Sequence, residues 1–177
     1  MNRHDLSLPL DKKGYYIRSW DFADKPALLE YANNRAIWLN VRDRFPHPYL
    51  EEHADGWLEH VFEDNDSLQF AISHETKAIG AIGLEFLADV ECKSANLGYW
   101  LAESYWGKGI ATQAVKVCTS YAFQQSDIIR ISAEVFSWNP GSIRVLEKAG
   151  FEKEGTLKQS VFKDGKILDK EIFALLR

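Results

Sequence analysis

The residues with the most chemical promise form one uninterrupted segment, Leu97-Gly98-Tyr99-Trp100-Leu101-Ala102-Glu103-Ser104-Tyr105-Trp106-Gly107-Lys108-Gly109-Ile110-Ala111-Thr112. Its apolar start reads as a strand and its end opens a helix, with Gly107 and Gly109 in the turn between. Glycines leave backbone N–H groups accessible, and a helix N-terminus carries partial positive charge. That combination suits a phosphate, above all a pyrophosphate, although a glycine turn without a ligand has the same spacing. Two nucleotide motifs can be tested against it. A P-loop needs GxxxxGK followed by Ser or Thr, and no such run occurs. The dinucleotide fingerprint GxGxxG starts at Gly107 and Gly109, but Thr112 stands where the third glycine belongs, and the loop sits mid-chain after several strands.

Two carboxylates fall within strand patterns. Glu134 lies on an alternating strand, on the face shared by Ser132 and Phe136, and Glu85 interrupts the apolar run Ala78 to Leu87. Each could be a general base, and each could equally pair within a sheet. Glu103 reads as a solvated loop charge. The histidines His4, His47, His53, His60 and His74 show no metal-ligand spacing, and no metal is expected.

These residues need a scaffold, and the pattern supplies one. Tyr15 to Trp20 reads as a strand, followed by a helix from Pro26 to about Asn33 and a second from about Leu50 to Phe62. Strands follow at Ser67 to Ile72, Lys77 to Leu87 and Ser94 to Leu101. The helix after Gly109 puts Ile110, Ala114, Val117, Cys118 and Tyr121 at helical spacing. In the strand Ile128 to Phe136, the residues Ile129, Ile131, Ala133 and Val135 share one face. A helix opened by Asn139-Pro140 ends at Lys148-Ala149-Gly150, a cation in the last turn before a C-terminal glycine. Asp164-Gly165 marks a closing hairpin. The order β-α-α-β-β-β-α-β-α-β-β specifies a mixed α/β sheet domain rather than a regular βαβ repeat.

Length and composition set the bounds. A chain of 177 residues, 46% hydrophobic and 27% charged, fits one globular domain spanning residues 1–177. The formal charge of −5 argues against a general nucleic-acid binder, which needs a basic face. The longest uncharged stretch, Val117 to Ser126, is ten residues, short of a membrane span. Met1-Asn2-Arg3-His4-Asp5 leads into no apolar segment, and Cys92 and Cys118 have no ligand spacing, so a cytoplasmic location with reduced thiols is expected.

The segment Tyr105-Trp106-Gly107-Lys108-Gly109-Ile110-Ala111-Thr112 resembles the acetyl-CoA pyrophosphate loop of the GNAT N-acetyltransferases, in particular their RimJ/RimL-like branch. Asn139-Pro140-Gly141-Ser142-Ile143-Arg144-Val145-Leu146-Glu147-Lys148-Ala149-Gly150-Phe151 is similar to that branch's Asn…Ser…Glu-Lys-x-Gly-Phe signature, and the likeness runs from about Tyr15 to Leu176. It implies a GNAT-like domain around a central twisted, splayed mixed sheet. It further implies that backbone groups of Tyr99, Trp100 and Leu101 hold the pantetheine arm. The backbone of Trp106, Gly107, Lys108, Gly109, Ile110 and Ala111 would cradle the pyrophosphate, Asn139 would hydrogen-bond the pantetheine, and Ser142 would sit near the sulfur. Many members carry a tyrosine acid seven residues after the asparagine, where this chain has Leu146. Ser142, or a water it holds, is left as the proton donor. Some enzymes of the Rim type place their base where Glu134 stands, which makes it the first choice and Glu85 the second.

The resemblance implies acetyl transfer from acetyl-CoA to a primary amine, either the α-amine of a protein N-terminus or a small-molecule amine. A non-catalytic acyl-CoA-binding module is the competing class, and a dinucleotide-binding oxidoreductase domain a weaker one. In this family the first two helices form much of the acceptor side. The acidic run Glu51, Glu52, Asp55, Glu59, Glu63, Asp64 and Asp66 could attract a cationic amine, but a solvated helix face is the expectation. Trp38, Phe45, Tyr49 and Trp57 could floor an acceptor pocket, with core packing expected for most. No nucleic-acid or membrane partner is expected, and the aromatic content and family habit are consistent with a homodimer.

Overall fold

The computed structural model describes residues 6–177; the readings of Met1 to Asp5, His4 among them, fall outside the described residues. The chain forms β1 (Ser7–Pro9), β2 (Tyr15–Arg18), α1 (Lys25–Ala32), α2 (Arg35–Trp38), α3 (Glu51–Glu63), β3 (Ser67–His74), β4 (Lys77–Phe86) and β5 (Ser94–Leu101). It continues through α4 (Ile110–Gln125), β6 (Arg130–Phe136), α5 (Pro140–Ala149), β7 (Glu152–Lys163) and β8 (Lys166–Leu176). All eight strands join one sheet in the order β1-β2-β3-β4-β5-β6-β8-β7. Every neighbouring pair is antiparallel except β5 and β6, which run parallel and are bridged by α4.

Local signals explain most boundaries. Asp164 and Gly165 both adopt positive φ, 49° and 73°, the twist a two-residue hairpin turn requires. Gly150 ends α5 in the left-handed region at φ 95°. The Asn139 side chain accepts from the Ser142 N–H and so starts the same helix. Three features depart from the sequence reading. A three-residue strand, β1, precedes the expected first one, and Arg35–Trp38 closes into one helical turn capped by the Asn34 side chain. Ile129 is 58% exposed and precedes β6, because the strand begins only at Arg130. It does not share the inner face of Ile131, Ala133 and Val135.

The sheet has a core on each side. On one face Ile82, Leu84, Leu97, Ile131, Ala133 and Val135 pack against Ile110, Ala114 and Cys118 of α4 and Leu146 of α5. Each such aliphatic side chain contributes about 1.5–3 kcal/mol by leaving water. Burial pushes the Cys118 thiol up to about 12, so it is a packing residue, while Cys92 is exposed. On the opposite face α1 and α3 bury Leu28, Ala32 and Leu58 against Ala71, Ala78 and Ala81. That second cover is confined to the β2–β4 half. Further along, the same face presents Glu85, Asn96, Ser132 and Glu134, half-buried or exposed.

Candidate active site

The central feature is a gap between the two parallel strands. β5 pairs with β6 only from Ser94 to Leu97, opposite Arg130 to Ala133. Beyond that point Gly98 to Leu101 stay with β4, while Glu134 to Phe136 stay with β8. The strands diverge, and backbone groups of Gly98–Leu101 on the β6 side have no strand partner. Gly98 is exposed and Tyr99 and Trp100 half-buried, so an amide-bearing occupant can reach this edge and complete the ladder. Gly98 adds room: no atom lies within 4 Å of where its side chain would begin.

The glycine loop lies at the end of β5. The Trp106 indole Nε1 donates to the Leu101 carbonyl at 2.7 Å and ties the loop to the strand. Gly107 and Gly109 take φ of 72° and 77°, which favour glycine, and both face open space. Gly109 starts α4, and among the described residues no side chain caps that helix. Its first N–H groups therefore point outward with the dipole behind them. Ile110 and Ala114, fully buried, lock the helix end in place. The exposed Lys108 Nζ, hydrogen-bonded to the Ser104 carbonyl, adds a positive charge beside the loop.

Across the gap, α5 brings Ser142 to β5. Its Oγ shares a 2.6 Å hydrogen bond with the Tyr99 hydroxyl. Burial pushes the Tyr99 phenol up to about 12, the Ser142 contact offsetting only part of the rise, so it stays protonated at any physiological pH. Leu146 is wholly buried and has no chemistry to offer. The phenol beside Ser142 thus comes from β5, not from α5. Asn139 uses its Oδ1 on the Ser142 N–H, 3.1 Å, which leaves its amide N–H groups as donors.

The other side of the gap is charged. Glu134, on the face opposite Ala133 and Val135, accepts from Arg42 at 2.8 Å and from Lys170 at 2.9 Å. Partial burial raises its pKa, but the two cations outweigh that and hold it below the usual carboxylate range. Glu85 accepts from Arg44 at 2.6 Å. It belongs to the same face, in the cross-strand row Glu85–Asn96–Ser132, and Ser132 donates to the Asn96 side chain at 2.7 Å. The two carboxylates thus share one face, and the Ser142–Tyr99 pair belongs to the other. The gap lies between them.

Several expected acceptor residues are spoken for. Lys25 pairs with Glu51 and Asp55, Asp64 accepts from Ser67, and the rest of that acidic run stays exposed or half-buried around α3. Trp57 stacks edge-on against Trp20, and Tyr49 is buried. Phe45 packs against Trp100, which carries the α2–α3 loop over β5. Trp38 lies under Lys163, whose buried Nζ is 3.9 Å from the ring centre and 2.5 Å from Asp43. With Arg35–Asp164, this fastens the loop to the tip of the β7–β8 hairpin. A depression of about 400 Å³ lined by Glu30, Tyr31, Asn33, Asn34, Glu103 and Ser104 contains none of the candidate catalytic residues. Glu103 there accepts from Asn34.

Sequence reasoning missed the Tyr99 hydroxyl, Arg42, Arg44 and Lys170 as parts of the site. Lys170 is reachable by counting forward from the Asp164-Gly165 turn once β6 is paired with β8. No sequence signal links Arg42 to Glu134, which stand 92 positions apart.

With this geometry in hand, comparison with known proteins is informative. Residues 15–152 match the model of the acetyltransferase (GNAT) domain. A probable N-acetyltransferase of Bacillus subtilis, YjcK, is 37% identical over 116 residues, 64% of each chain, so this chain spans just under two thirds of that relative's length. A ribosomal-protein-serine acetyltransferase of Escherichia coli is 33% identical over 105 residues, 59% of this chain and 58% of that one. Among solved structures, RimL, a ribosomal L7/L12 α-N-protein acetyltransferase in complex with coenzyme A, superposes with a TM-score of 0.82. It is 24% identical and covers 97% of this chain and 98% of its own.

Proposed function

The chain belongs to the GNAT acetyltransferase family, and from that premise we propose that it moves the acetyl group of acetyl-CoA to the α-amine of a protein N-terminus. The carrying observation is the state of Glu134, the best-placed candidate base, which Lys170 and Arg42 hold below the ordinary carboxylate range. Such a base suits an amine that is already partly neutral. An α-amine has a pKa of about 7.7–8.0, whereas a lysine or polyamine ammonium lies near ~10.4. The Escherichia coli relative named for ribosomal-protein acetylation supports the same acceptor class.

In this reading the free edge of Tyr99, Trp100 and Leu101 pairs with the pantetheine amides, and an Asn139 amide N–H assists. The N–H groups from Trp106 to Ala111, with Gly107, Lys108, Gly109 and Ile110 between, receive the pyrophosphate. The amine nitrogen attacks the thioester carbonyl carbon from the Glu134 and Glu85 face, the C–S bond breaks, and the thiolate leaves toward the Ser142 face. The amine proton passes to Glu134, to Glu85 or to water. A thiol has a pKa of about 8.5, well below a phenol at about 12, so full proton transfer from Tyr99 is uphill. Ser142, oriented by Tyr99, instead stabilises the developing thiolate as a hydrogen-bond donor.

The deciding experiment has two parts. Thermal shift with acetyl-CoA, CoA, NAD and ATP is run on the wild type and Gly109→Glu, followed by thiol release with peptides. Expected are a rise of roughly 5–10 °C with acetyl-CoA near 100 times its dissociation constant, its loss in Gly109→Glu, and turnover of free but not N-terminally blocked peptides. No shift at millimolar acetyl-CoA sinks the reading. Turnover of a blocked, lysine-bearing peptide alone sinks its acceptor.

A further inference from the structure

Immediately around the candidate bases, beyond the acidic α3 that covers the β2–β4 half of the same face, cations outnumber carboxylates. Three cations, Arg42, Arg44 and Lys170, meet two carboxylates, Glu134 and Glu85. The neighbouring charges cancel in pairs, Arg35 with Asp164 and Lys163 with Asp43. Both arginines stand on the α2–α3 loop, two residues apart, with side chains 60% and 70% exposed. Each gives its carboxylate a hydrogen bond through one terminal nitrogen, Nη2. A guanidinium has five N–H donors in a planar fork that matches a carboxylate bidentately, so most of that capacity faces solvent. Lys170, by contrast, is largely buried and committed to Glu134. The arginines reach opposite sides of β5, one to Glu85 on β4 and one to Glu134 on β6, strands about 10 Å apart where both pair with β5 and wider at the gap.

We propose that Arg42 and Arg44 form a two-point anion grip that selects acceptor peptides with Asp or Glu at the second to fourth positions. The inference rests on the α-amine reading and narrows it. An extended peptide advances about 3.3–3.6 Å per residue, so with its amine at the gap beside Glu134 its next three residues reach about 10 Å, toward Glu85 and Arg44 on β4's side of β5. An acidic side chain there gains bidentate, charge-assisted contacts. A basic one meets surplus positive charge, and the mismatch suppresses the wrong partner.

The test compares kcat/KM for three peptides that share the same first residue and differ at positions two to four: acidic, uncharged and lysine-bearing. Wild type, Arg42→Gln, Arg44→Gln and the double variant are assayed, with melting temperatures to verify folding. Expected is a preference for the acidic over the uncharged peptide of about tenfold or more, rejection of the lysine peptide, and a preference that weakens with salt. The acidic-to-uncharged ratio falls toward one in the double variant. The ratio, unlike the absolute rate, is insensitive to general damage to the fold. Equal rates on acidic and uncharged peptides in the wild type, or an undiminished ratio in the double variant, overturn the grip while leaving α-amine acetylation standing. No turnover of any free peptide, with a small amine acetylated normally, removes the α-amine reading and the grip with it. If a variant unfolds, Arg42→Lys and Arg44→Lys keep the charge and lose the fork; they should retain only part of the preference.

Discussion

The 2.6 Å contact between Tyr99 and Ser142 can be tested as a unit by a double-mutant cycle. If Ser142 donates to the departing thiolate, Ser142→Ala removes a hydrogen bond to a developing charge. Such a bond is worth about 1.5–3 kcal/mol, and the loss in kcat should be of the order of 10²-fold. Tyr99→Phe removes only the neutral bond that aims the serine, about 1 kcal/mol, and should cost roughly 5–10-fold. Because the phenol acts through the serine, the double variant should be no slower than Ser142→Ala; independent roles would multiply to about 10³. Stability supplies a second reading with the opposite ranking. Ser142→Ala leaves a largely buried phenol without its side-chain partner, at about 1–3 kcal/mol, whereas Tyr99→Phe removes the phenol and leaves only the half-buried, more readily hydrated Ser142 hydroxyl without one. Melting temperature should therefore drop more in Ser142→Ala, by about 2–4 °C per kcal/mol, and recover in part in the double variant. Pre-steady-state thiol release with a saturating peptide reads the rates, and calorimetry the stabilities. Multiplicative losses, or a Ser142→Ala enzyme at full speed, would refute the relay.

The remaining predictions concern pH. With a peptide acceptor, kcat/KM should rise with pH through an apparent pKa of about 8, that of the α-amine itself. Glu134 is already ionised well below that range and Tyr99 titrates only near 12, so a limb near 10 would point to another acceptor. Glu134 also links stability to acid. Its folded pKa is lowered, so its contribution is fully present above the unfolded value and fades as pH falls through the folded one. Glu134→Gln should lower the melting temperature at pH 7 and leave it unchanged near pH 2; an equal drop at both would show that the ion pairs with Arg42 and Lys170 do not stabilise the fold.

What could be read from the sequence was what short segments decide for themselves. The hairpin at Asp164-Gly165, the left-handed end of α5 at Gly150 and the Asn139 cap are each determined within four residues, and each stands where expected. The opening at Gly107 and Gly109 is equally local. β1 escaped notice because three residues with little burial leave no period to detect; they are held by pairing with β2. Ile129 misled for a related reason: alternation alone cannot say where a strand starts, and the backbone enters the sheet one residue later. At the site, the residues that came from the strand–turn–helix segment could be named, but their partners could not. Tyr99 was visible as backbone, yet its hydroxyl depends on how α5 packs over β5, and Ser142 is 43 positions away.

On the proposed α-amine reading, the cations beside Glu134 bear on how the acceptor would be chosen. A general base that had to strip a lysine-type ammonium would profit from a raised pKa, and a carboxylate gets that by burial away from cations. Glu134 has the partial burial but also Lys170 and Arg42, and the cations prevail. At pH 7 about 14% of an α-amine of pKa near 7.8 is neutral, against about 0.04% of an ammonium of pKa near 10.4. A site that leaves deprotonation to the amine therefore favours the α-amine by about 300-fold before any contact with the rest of the acceptor. Of the two cations that weaken the base, Arg42 is exposed enough to serve the proposed recognition as well. Arg42 holds Glu134 in the free protein and has donors to spare for an incoming carboxylate. Selection by amine pKa and selection by neighbouring charge would thus meet in one side chain, Arg42.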